Sequence, residues 1–226
     1  MKILNPEVFA ETPRTYLGAS EIGGCPRKIR YRLDHARGVE GAAQPSDRDL
    51  TTWLKLKAGN ALEPLIVQAM TAAGFVLADT GDDQAPVSVS LIHGHPDGHI
   101  FSHPEFELAD GTTAGKDLYA GWNWECKTKG NWPAKSFAKQ GPNPYELAQH
   151  RIYCAAKYCP GTLFTIFNMD SKELTHYAVS ASVLGVAKLT NKAAEIESTD
   201  LCDTAKAPVA KWECNYCDFC HDCGGV

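Results

Sequence analysis

The chain has 226 residues, of which 44% are hydrophobic, and its formal net charge is −5. This is enough apolar material for one buried core, and the acidic balance argues against a protein that coats nucleic acid through surplus Lys and Arg. No stretch approaches the about 18 apolar residues that a membrane helix needs, and the first twenty residues lack the apolar centre of a signal peptide. We therefore expect an intracellular, cytoplasmic protein with one domain over 1–226 and no membrane partner.

The first predicted elements are two helices. Ser20 is a candidate N-cap for a helix over 20–33. Apolar residues at helical spacing predict a longer helix over 53–73, which Gly74 ends. Strands and helices alternate after this point.

Alternating apolar and polar residues predict strands over 86–92, 98–101, 122–127, 161–169 and 173–179. Helical spacing returns over 145–158 and 182–197. The segments 34–49 and 109–121 are predicted loops. The order predicts an α/β fold in which helices flank a central mixed β-sheet.

Two acids on separate predicted strands form the first candidate site. Asp97 follows Pro96 at a strand start, and Glu125 and Lys127 lie two positions apart on a later strand. Strand side chains alternate between faces, so Glu125 and Lys127 point the same way and Cys126 points oppositely. Two converging carboxylates can bind Mg²⁺ or Mn²⁺. A solvated salt bridge between strands is the alternative.

Three further polar residues accompany these acids. Glu63 lies between apolar neighbours in the long helix, where burial is costly without a partner or a metal ion. Gln149 and Tyr153 stand four residues apart and share one helix face. The alternatives are a surface acid and an ordinary amphipathic boundary.

A basic segment follows the first glycine pair. It contains Arg27, Lys28, Arg30, Arg32 and Arg37. This spacing is typical of a solvated helix face and equally of a face that contacts phosphates.

Nine cysteines are present, an odd number in a chain without an export signal, so reduced thiols and metal ligands are expected rather than disulfides. Four of them close the chain at Cys214, Cys217, Cys220 and Cys223. The others besides Cys25 are interpreted as small apolar residues: Cys126, Cys154, Cys159 and Cys202.

The order of these motifs resembles the PD-(D/E)XK nuclease superfamily in its RecB-like branch. The resemblance rests on Gly-x-x-x-Glu ending at Glu63, Pro96-Asp97, Glu125-Cys126-Lys127 and Gln149-x-x-x-Tyr153. It implies a restriction-endonuclease-like core that binds a divalent cation. The implied metal ligands are Glu63, Asp97, Glu125 and the main-chain carbonyl of Cys126.

The resemblance also implies roles for the other polar residues. Lys127 would position the attacking water, and Gln149 and Tyr153 would orient the scissile strand. The backbone of that strand would be attracted by the cations Arg27, Lys28 and Arg30.

The cysteine pattern is similar to that of the iron–sulfur RecB-like nucleases, notably the CRISPR-associated Cas-four type and the AddB nuclease domain. It implies a 4Fe-4S cluster on Cys25, Cys214, Cys217 and Cys223, with Cys220 as an alternate ligand. Cluster-binding elements at about 20–33 and 212–223 would then join the two ends of the chain. Zinc is the main rival, although one dense run with a remote single cysteine favours the cluster.

Glu63 departs from the Cas-four type, which usually has a histidine there. His93 and His95, near Asp97, are alternative ligands or residues that line a turn.

The expected function is therefore a metal-dependent DNA nuclease, an exonuclease on single strands or duplex ends that uses Mg²⁺ or Mn²⁺. Expected partners are DNA and, through the resemblance, CRISPR integration or recombination and repair proteins. Two alternatives stay open: a nucleic-acid-binding adaptor that does not cleave, and a zinc-stapled endonuclease with the same core.

Overall fold

A mixed sheet at the centre of the molecule carries the candidate site. The computed structural model describes residues 13–45, 50–182, 184–198, 211–215 and 217–223. The helices of this part are α1 Pro26–Ala36, α2 Leu50–Ala72, α3 Asn131–Gln140, α4 Pro144–Lys157, α5 Val186–Ser198 and the short α6 Lys211–Cys214. The strands are β1 Leu17–Gly18, β2 Val76–Ala78, β3 Val87–Val89, β4 Ile92–Gly94, β5 Gly98–Ser102, β6 Phe106–Glu107, β7 Thr113–Ala114, β8 Asn123–Lys129, β9 Gly161–Asn168 and β10 Leu174–Ser180.

The central sheet has five strands in the order β10-β9-β8-β5-β2. Strands β8 and β9 are parallel, and the other neighbours are antiparallel. A smaller sheet has the order β1-β4-β3, with β1 parallel to β4, and β6 pairs with β7. The parallel pair requires a crossover between β8 and β9, which α3 and α4 supply.

Helices cover both faces of the central sheet. On one face, Ile66 and Met70 of α2 pack on Trp124 and Leu163. On the other face, Phe137 of α3 packs on Phe164 and Ile166. Alternation along β8 and β9 sends successive side chains to these two layers, so both strands are buried on both faces.

A second core joins α1, α4, α5 and the small sheet. Its fully buried members include Leu17, Ile22, Leu33, Ile152 and Ile196. Burial of such side chains contributes about 1.5–3 kcal/mol each. This core attaches the N-terminal segment to α4, the helix that carries the predicted site residues Gln149 and Tyr153.

Most predicted elements are confirmed, and two needed correction. The run 86–92 is a hairpin, β3 and β4, because Ser90 adopts a positive φ of 55° and turns the chain. The first helix begins at Pro26 rather than Ser20, because Pro is favoured at the first helical position, and residues 19–24 form turns.

The sequence analysis predicted neither α3 nor the short elements β1, β2, β6, β7 and α6. The segment of α3 contains Pro133 and is flanked by Gly130 and Gly141, which are poor helix formers. Pro133 is tolerated because it lies in the first turn, where its missing N–H has no partner to lose. The predicted loop 34–49 lies partly outside the described residues. Cys202 also lies outside them.

The predicted fold class is confirmed: the architecture is mixed α/β, with helices on both sides of a mixed central sheet. In the described ranges, no helix has the length and apolar character to cross a membrane.

Candidate functional site

Two antiparallel strands bring Asp97 and Glu125 together. Gly98 of β5 pairs with Trp124 of β8, so the same register places Asp97 opposite Glu125. The Cys126 backbone N–H donates a hydrogen bond to Asp97 Oδ2 at 2.9 Å. Asp97 is thereby fixed against β8, although 28 positions separate it from Glu125 in the chain (125 − 97).

Lys127 lies between the two carboxylates. Its Nζ is 2.7 Å from Glu125 Oε2 and 3.6 Å from Asp97 Oδ2. Burial lowers the pKa of Lys127, but the charges of Asp97 and Glu125 outweigh this and raise the pKa well above its ordinary value. The side chain is therefore an ammonium donor and not a base.

Glu125 is fully buried, and one of its oxygens is orphaned. Oε2 accepts the hydrogen bond from Lys127, whereas Oε1 has no hydrogen-bond partner within the described part of the chain. Burial and the charge of Asp97 raise the pKa of Glu125. A buried carboxylate oxygen without a partner is costly, so this atom is a candidate ligand for a cation.

Glu63 of α2 approaches the same group of charges. Burial and the negative charge of Asp97 raise its pKa, while Lys127 opposes this effect. The Gln84 side-chain amide donates a hydrogen bond to Glu63 Oε1 at 2.9 Å. One turn earlier, a Cβ at Gly59 would lie 3.1 Å from Thr128 Oγ1, so the missing side chain lets α2 approach β8 closely.

The donor set suits a hard divalent cation. In the part of the chain that the structure describes, no three His, Cys, Asp or Glu side chains stand ready to coordinate one metal ion together. Instead, Lys127 neutralises Asp97 and Glu125. The three carboxylates, among them Glu125 with its unpartnered Oε1, nevertheless supply the kind of oxygen ligand that Mg²⁺ and Mn²⁺ prefer.

The thiol of Cys126 is poorly suited to bind a metal ion, so the main-chain carbonyl is the candidate ligand of this residue. Its side chain is buried in the core beside Trp124, on the sheet face opposite to Glu125. Burial, together with Asp97 and Glu63, raises the pKa of this thiol to about 12. The thiolate required for metal binding is therefore disfavoured.

Gln149 and Tyr153 support the segment that carries Asp97. The Gln149 amide donates to the Tyr153 hydroxyl at 3.1 Å, and that hydroxyl donates to the His95 carbonyl at 3.0 Å. Burial and nearby Glu125 raise the pKa of Tyr153, so the hydroxyl stays protonated. A Cβ at Gly94 would lie 2.7 Å from the Tyr153 ring, so Gly94 makes room for this contact.

The structure gathers the predicted thiols at a second location. One cavity is lined by Cys25, Lys28, Tyr31, Glu213, Cys214, Cys217, Cys220 and Cys223. Five thiols from both ends of the described chain thus line one cavity, one more than a four-ligand cluster needs, although no three of these described side chains are close enough to hold one metal ion together. Thiols are the usual ligands of iron–sulfur clusters, and Arg27 Nη1 donates to Cys223 Sγ at 3.2 Å. Burial raises the pKa of the Cys223 thiol, and Arg27 opposes this shift.

The cations of α1 have contacts within the protein. Arg27 and Lys28 lie at the thiol cavity. Arg30 forms an ion pair with Asp34 at 2.9 Å and donates to the Ile196 carbonyl at 2.9 Å, which fastens α1 to α5. Their contact with DNA remains a prediction.

Sequence reasoning missed Lys129 and Glu146, which form a buried ion pair beside the site. Glu146 also completes a capping box with Asn143 at the start of α4. The signal was present as Asn143-Pro144-Tyr145-Glu146, a cap residue followed by Glu three positions later.

Several solved structures share the fold of this chain. An alkaline exonuclease (LHK-Exo) from Laribacter hongkongensis matches with a TM-score of 0.55 at 14% identity, over 86% of this chain and 91% of that one. The same exonuclease in complex with dAMP matches with a TM-score of 0.51 at 15% identity, over 86% and 93%. A protein titled SSO0001 matches with a TM-score of 0.51 at 16% identity, over 95% and 88%.

The chain shares the fold of this alkaline exonuclease. No protein-family model matches it, and no curated protein matches it in sequence. At these identities the likeness concerns the backbone and not the individual site residues.

Proposed function

We propose that the chain is a divalent-metal-dependent DNA nuclease, an exonuclease that acts on single strands or duplex ends. The observation that carries the proposal is the apposition of Asp97, Glu125 and Lys127 on neighbouring strands, with Glu125 Oε1 buried and unpartnered. The shared fold supports it, since one neighbour is an alkaline exonuclease whose complex with dAMP, a DNA mononucleotide, has been solved.

Glu63, Asp97, Glu125 and the Cys126 carbonyl would hold Mg²⁺ or Mn²⁺. When bound, the ion supplies Lewis-acid polarisation of the phosphate and a more acidic water. Lys127 donates hydrogen bonds to the attacking water and to the phosphate oxygens as negative charge develops on them. Tyr153 and Gln149 hold the His95 carbonyl, which fixes the approach of Asp97.

We further propose that Cys25 and three of the four tail cysteines hold a 4Fe-4S cluster with a structural role. Five thiols around one cavity support this assignment. Cys25 immediately precedes α1, whereas the other ligands follow α5 in the chain. Ligation would therefore fasten the two ends of the fold to each other. The free energy of ligand binding would then contribute to folding.

Linear and circular single-stranded DNA of equal length, incubated with Mn²⁺, test the nuclease proposal. We expect digestion of the linear strand, no digestion of the circle, and a rate at least about 100-fold lower for Glu125→Gln and Lys127→Ala. Glu107→Gln, an exposed acid on β6, is the control and should keep the wild-type rate. Folded Glu125→Gln and Lys127→Ala proteins that digest DNA at the wild-type rate would refute the proposal. Binding without cleavage would favour the adaptor function.

A further inference from the structure

Helix α3 covers the sheet face that carries the candidate site. The Phe137 and Phe164 rings are 5.4 Å apart, and Phe164 is the register partner of Glu125 on the neighbouring parallel strand. Register partners in a sheet share a face, so Glu125, Phe164 and α3 lie on the same side. Strand β8 ends at Lys129 and α3 begins two residues later, which places the first turn of α3 next to the site.

The outer surface of α3 combines an aromatic ring with positive charge. Trp132 is 79% exposed, and Lys135 and Lys139 are exposed as well. The spacing i, i+3 and i+7 puts all three on one helix face, and we call this set the α3 outer surface. Between residues 127 and 145 the chain has four lysines and no acid, although its net charge is −5. This segment is therefore positively charged, although the protein as a whole is acidic.

Single exposed aromatic residues are common and need no special explanation. Trp132 differs because lysines continue its face and because the strand leading to it carries Lys127. The α3 outer surface spans about 10 Å along the helix, which matches roughly three nucleotides at the rise of a stacked strand. Its dimensions and its charge therefore match a short length of nucleic-acid backbone.

We propose that the α3 outer surface binds single-stranded DNA beside the site, with Trp132 stacked on a base and Lys135 and Lys139 paired with phosphates. This inference rests on the proposed nuclease function and names the form of DNA that the site receives. Stacking on an indole requires a base face that duplex DNA buries within its own stack, so the surface selects unpaired strands.

Lysine side chains, and not the helix N-terminus, supply the attraction for phosphate. The Asn131 N–H already donates to Asp170 Oδ2 at 2.6 Å, so a carboxylate occupies that end of α3. Lys129 is paired with Glu146. The phosphate contacts are therefore assigned to Lys135 and Lys139.

Fluorescence anisotropy with a labelled single-stranded oligonucleotide in EDTA measures binding without cleavage. We expect Trp132→Ala to weaken binding at least about fivefold, as for the loss of one stacked base. Trp132→Phe, which keeps an aromatic face, should stay within about twofold of wild type, and blunt duplex of equal length should respond little to Trp132→Ala.

Tyr158→Ala is the matched aromatic control. Tyr158 is 94% exposed, and the adjacent Cys159 donates to Asn123 at the start of β8, so Tyr158 lies at the end of that strand opposite to Trp132. This variant should bind as wild type does. Lys116→Ala, an exposed lysine in the loop before β8, is the control for the lysine variants.

The salt dependence separates the two parts of the surface. Replacing Lys135 and Lys139 by Ala together should make the slope of log K against log salt shallower by about 1.4, whereas Trp132→Ala should leave the slope unchanged. Trp132→Ala that binds single strands as tightly as wild type, or a wild-type protein that binds no single strands, overturns the proposal. Binding that depends on Trp132 in a protein that cleaves no DNA leaves the surface standing and removes the nuclease function.

Discussion

Tyr145 and Glu213 join the thiol cavity to the helix that supports the carboxylate site. The Tyr145 hydroxyl donates to Glu213 Oε1 at 2.7 Å, across 68 positions of sequence. Glu213 lines the thiol cavity, and Tyr145 lies in the first turn of α4. One and two turns further along the same helix, Gln149 and Tyr153 hold the segment before Asp97. One helix, α4, thus contacts both the lining of the thiol cavity and the segment before Asp97.

Tyr145→Phe tests this connection. The substitution removes one hydrogen bond to a charged group in a partly buried position, so we expect a loss of about 1 kcal/mol, which corresponds to a lower melting temperature by about 2–4 °C. The measurement is thermal unfolding followed by circular dichroism. Tyr158→Phe, at a hydroxyl in an exposed side chain, should not shift the melting temperature, and an equal shift in both variants would contradict the expectation.

Gly24→Ala tests the packing that brings the N-terminal turns to α4. A Cβ at Gly24 would lie 2.5 Å from the Tyr145 hydroxyl oxygen, closer than real contacts allow. Tyr145 would have to move, and overpacking of this kind costs about 1–3 kcal/mol. Gly115→Ala is the control, since an added Cβ there meets nothing within 4 Å. We expect a lower urea midpoint for Gly24→Ala alone, and similar midpoints for both variants would show that the approach is not tight.

The candidate site could be predicted from the sequence because its residues lie in a fixed order on regular strands and helices. Alternation along a strand is enough to place Glu125 and Lys127 on one face, and the antiparallel register then brings Asp97 opposite. The position of Lys127 between both carboxylates depends on side-chain rotamers and on burial. No spacing rule gives that information.

The cations of α1 have protein contacts that no local pattern predicts. The spacing of Arg27, Lys28 and Arg30 is compatible with a phosphate-binding face, but Arg30 contacts the Ile196 carbonyl, 166 positions away. Helix α3 was missed for a similar reason. Its anchor is the contact of Phe137 with Phe164, a tertiary interaction that outweighs the loop propensity of Gly130 and Pro133.

Single serine substitutions test which cysteines hold the proposed cluster. We expect Cys25→Ser, Cys214→Ser and Cys217→Ser proteins, purified without air, to lose most of their iron and sulfide and to melt at least about 5 °C lower than wild type. Cys154→Ser is the control, since Cys154 is buried next to Thr162 and away from the cavity. Iron and sulfide assays with a visible spectrum make the measurement. Colourless wild-type protein that contains zinc would decide for the zinc alternative.

Cys220 and Cys223 compete for the fourth position in that series. Cys223 lines the thiol cavity and accepts a hydrogen bond from Arg27, which opposes the rise that burial causes in the pKa of its thiol, so Cys223→Ser should lose the cluster while Cys220→Ser keeps it. The opposite result would assign Cys220 as the ligand and leave the Arg27 contact without that role.

His176 makes the stability of the fold depend on pH. Its ring packs against Phe75 and Phe106 in the core, with Nδ1 3.1 Å from Thr165 Oγ1, and burial lowers its pKa to about 4. The unfolded chain binds a proton at this residue below about pH 6.5, whereas the folded chain does not until about pH 4. Unfolding therefore takes up a proton in this window, and the contribution of His176 to stability is present above pH 6.5 and is lost as the pH falls toward 4.

His176→Gln removes this proton uptake while it keeps a polar partner for Thr165. We expect the free energy of unfolding of wild type, relative to the variant, to fall by about 3 kcal/mol between pH 7 and pH 4. Urea titrations at several pH values make the measurement, and the exposed His93→Gln serves as the control. Only a buried neutral imidazole gives this difference in proton uptake. If the free energy of unfolding depends on pH in the same way in wild type and His176→Gln, the ring is solvated or already charged in the folded protein.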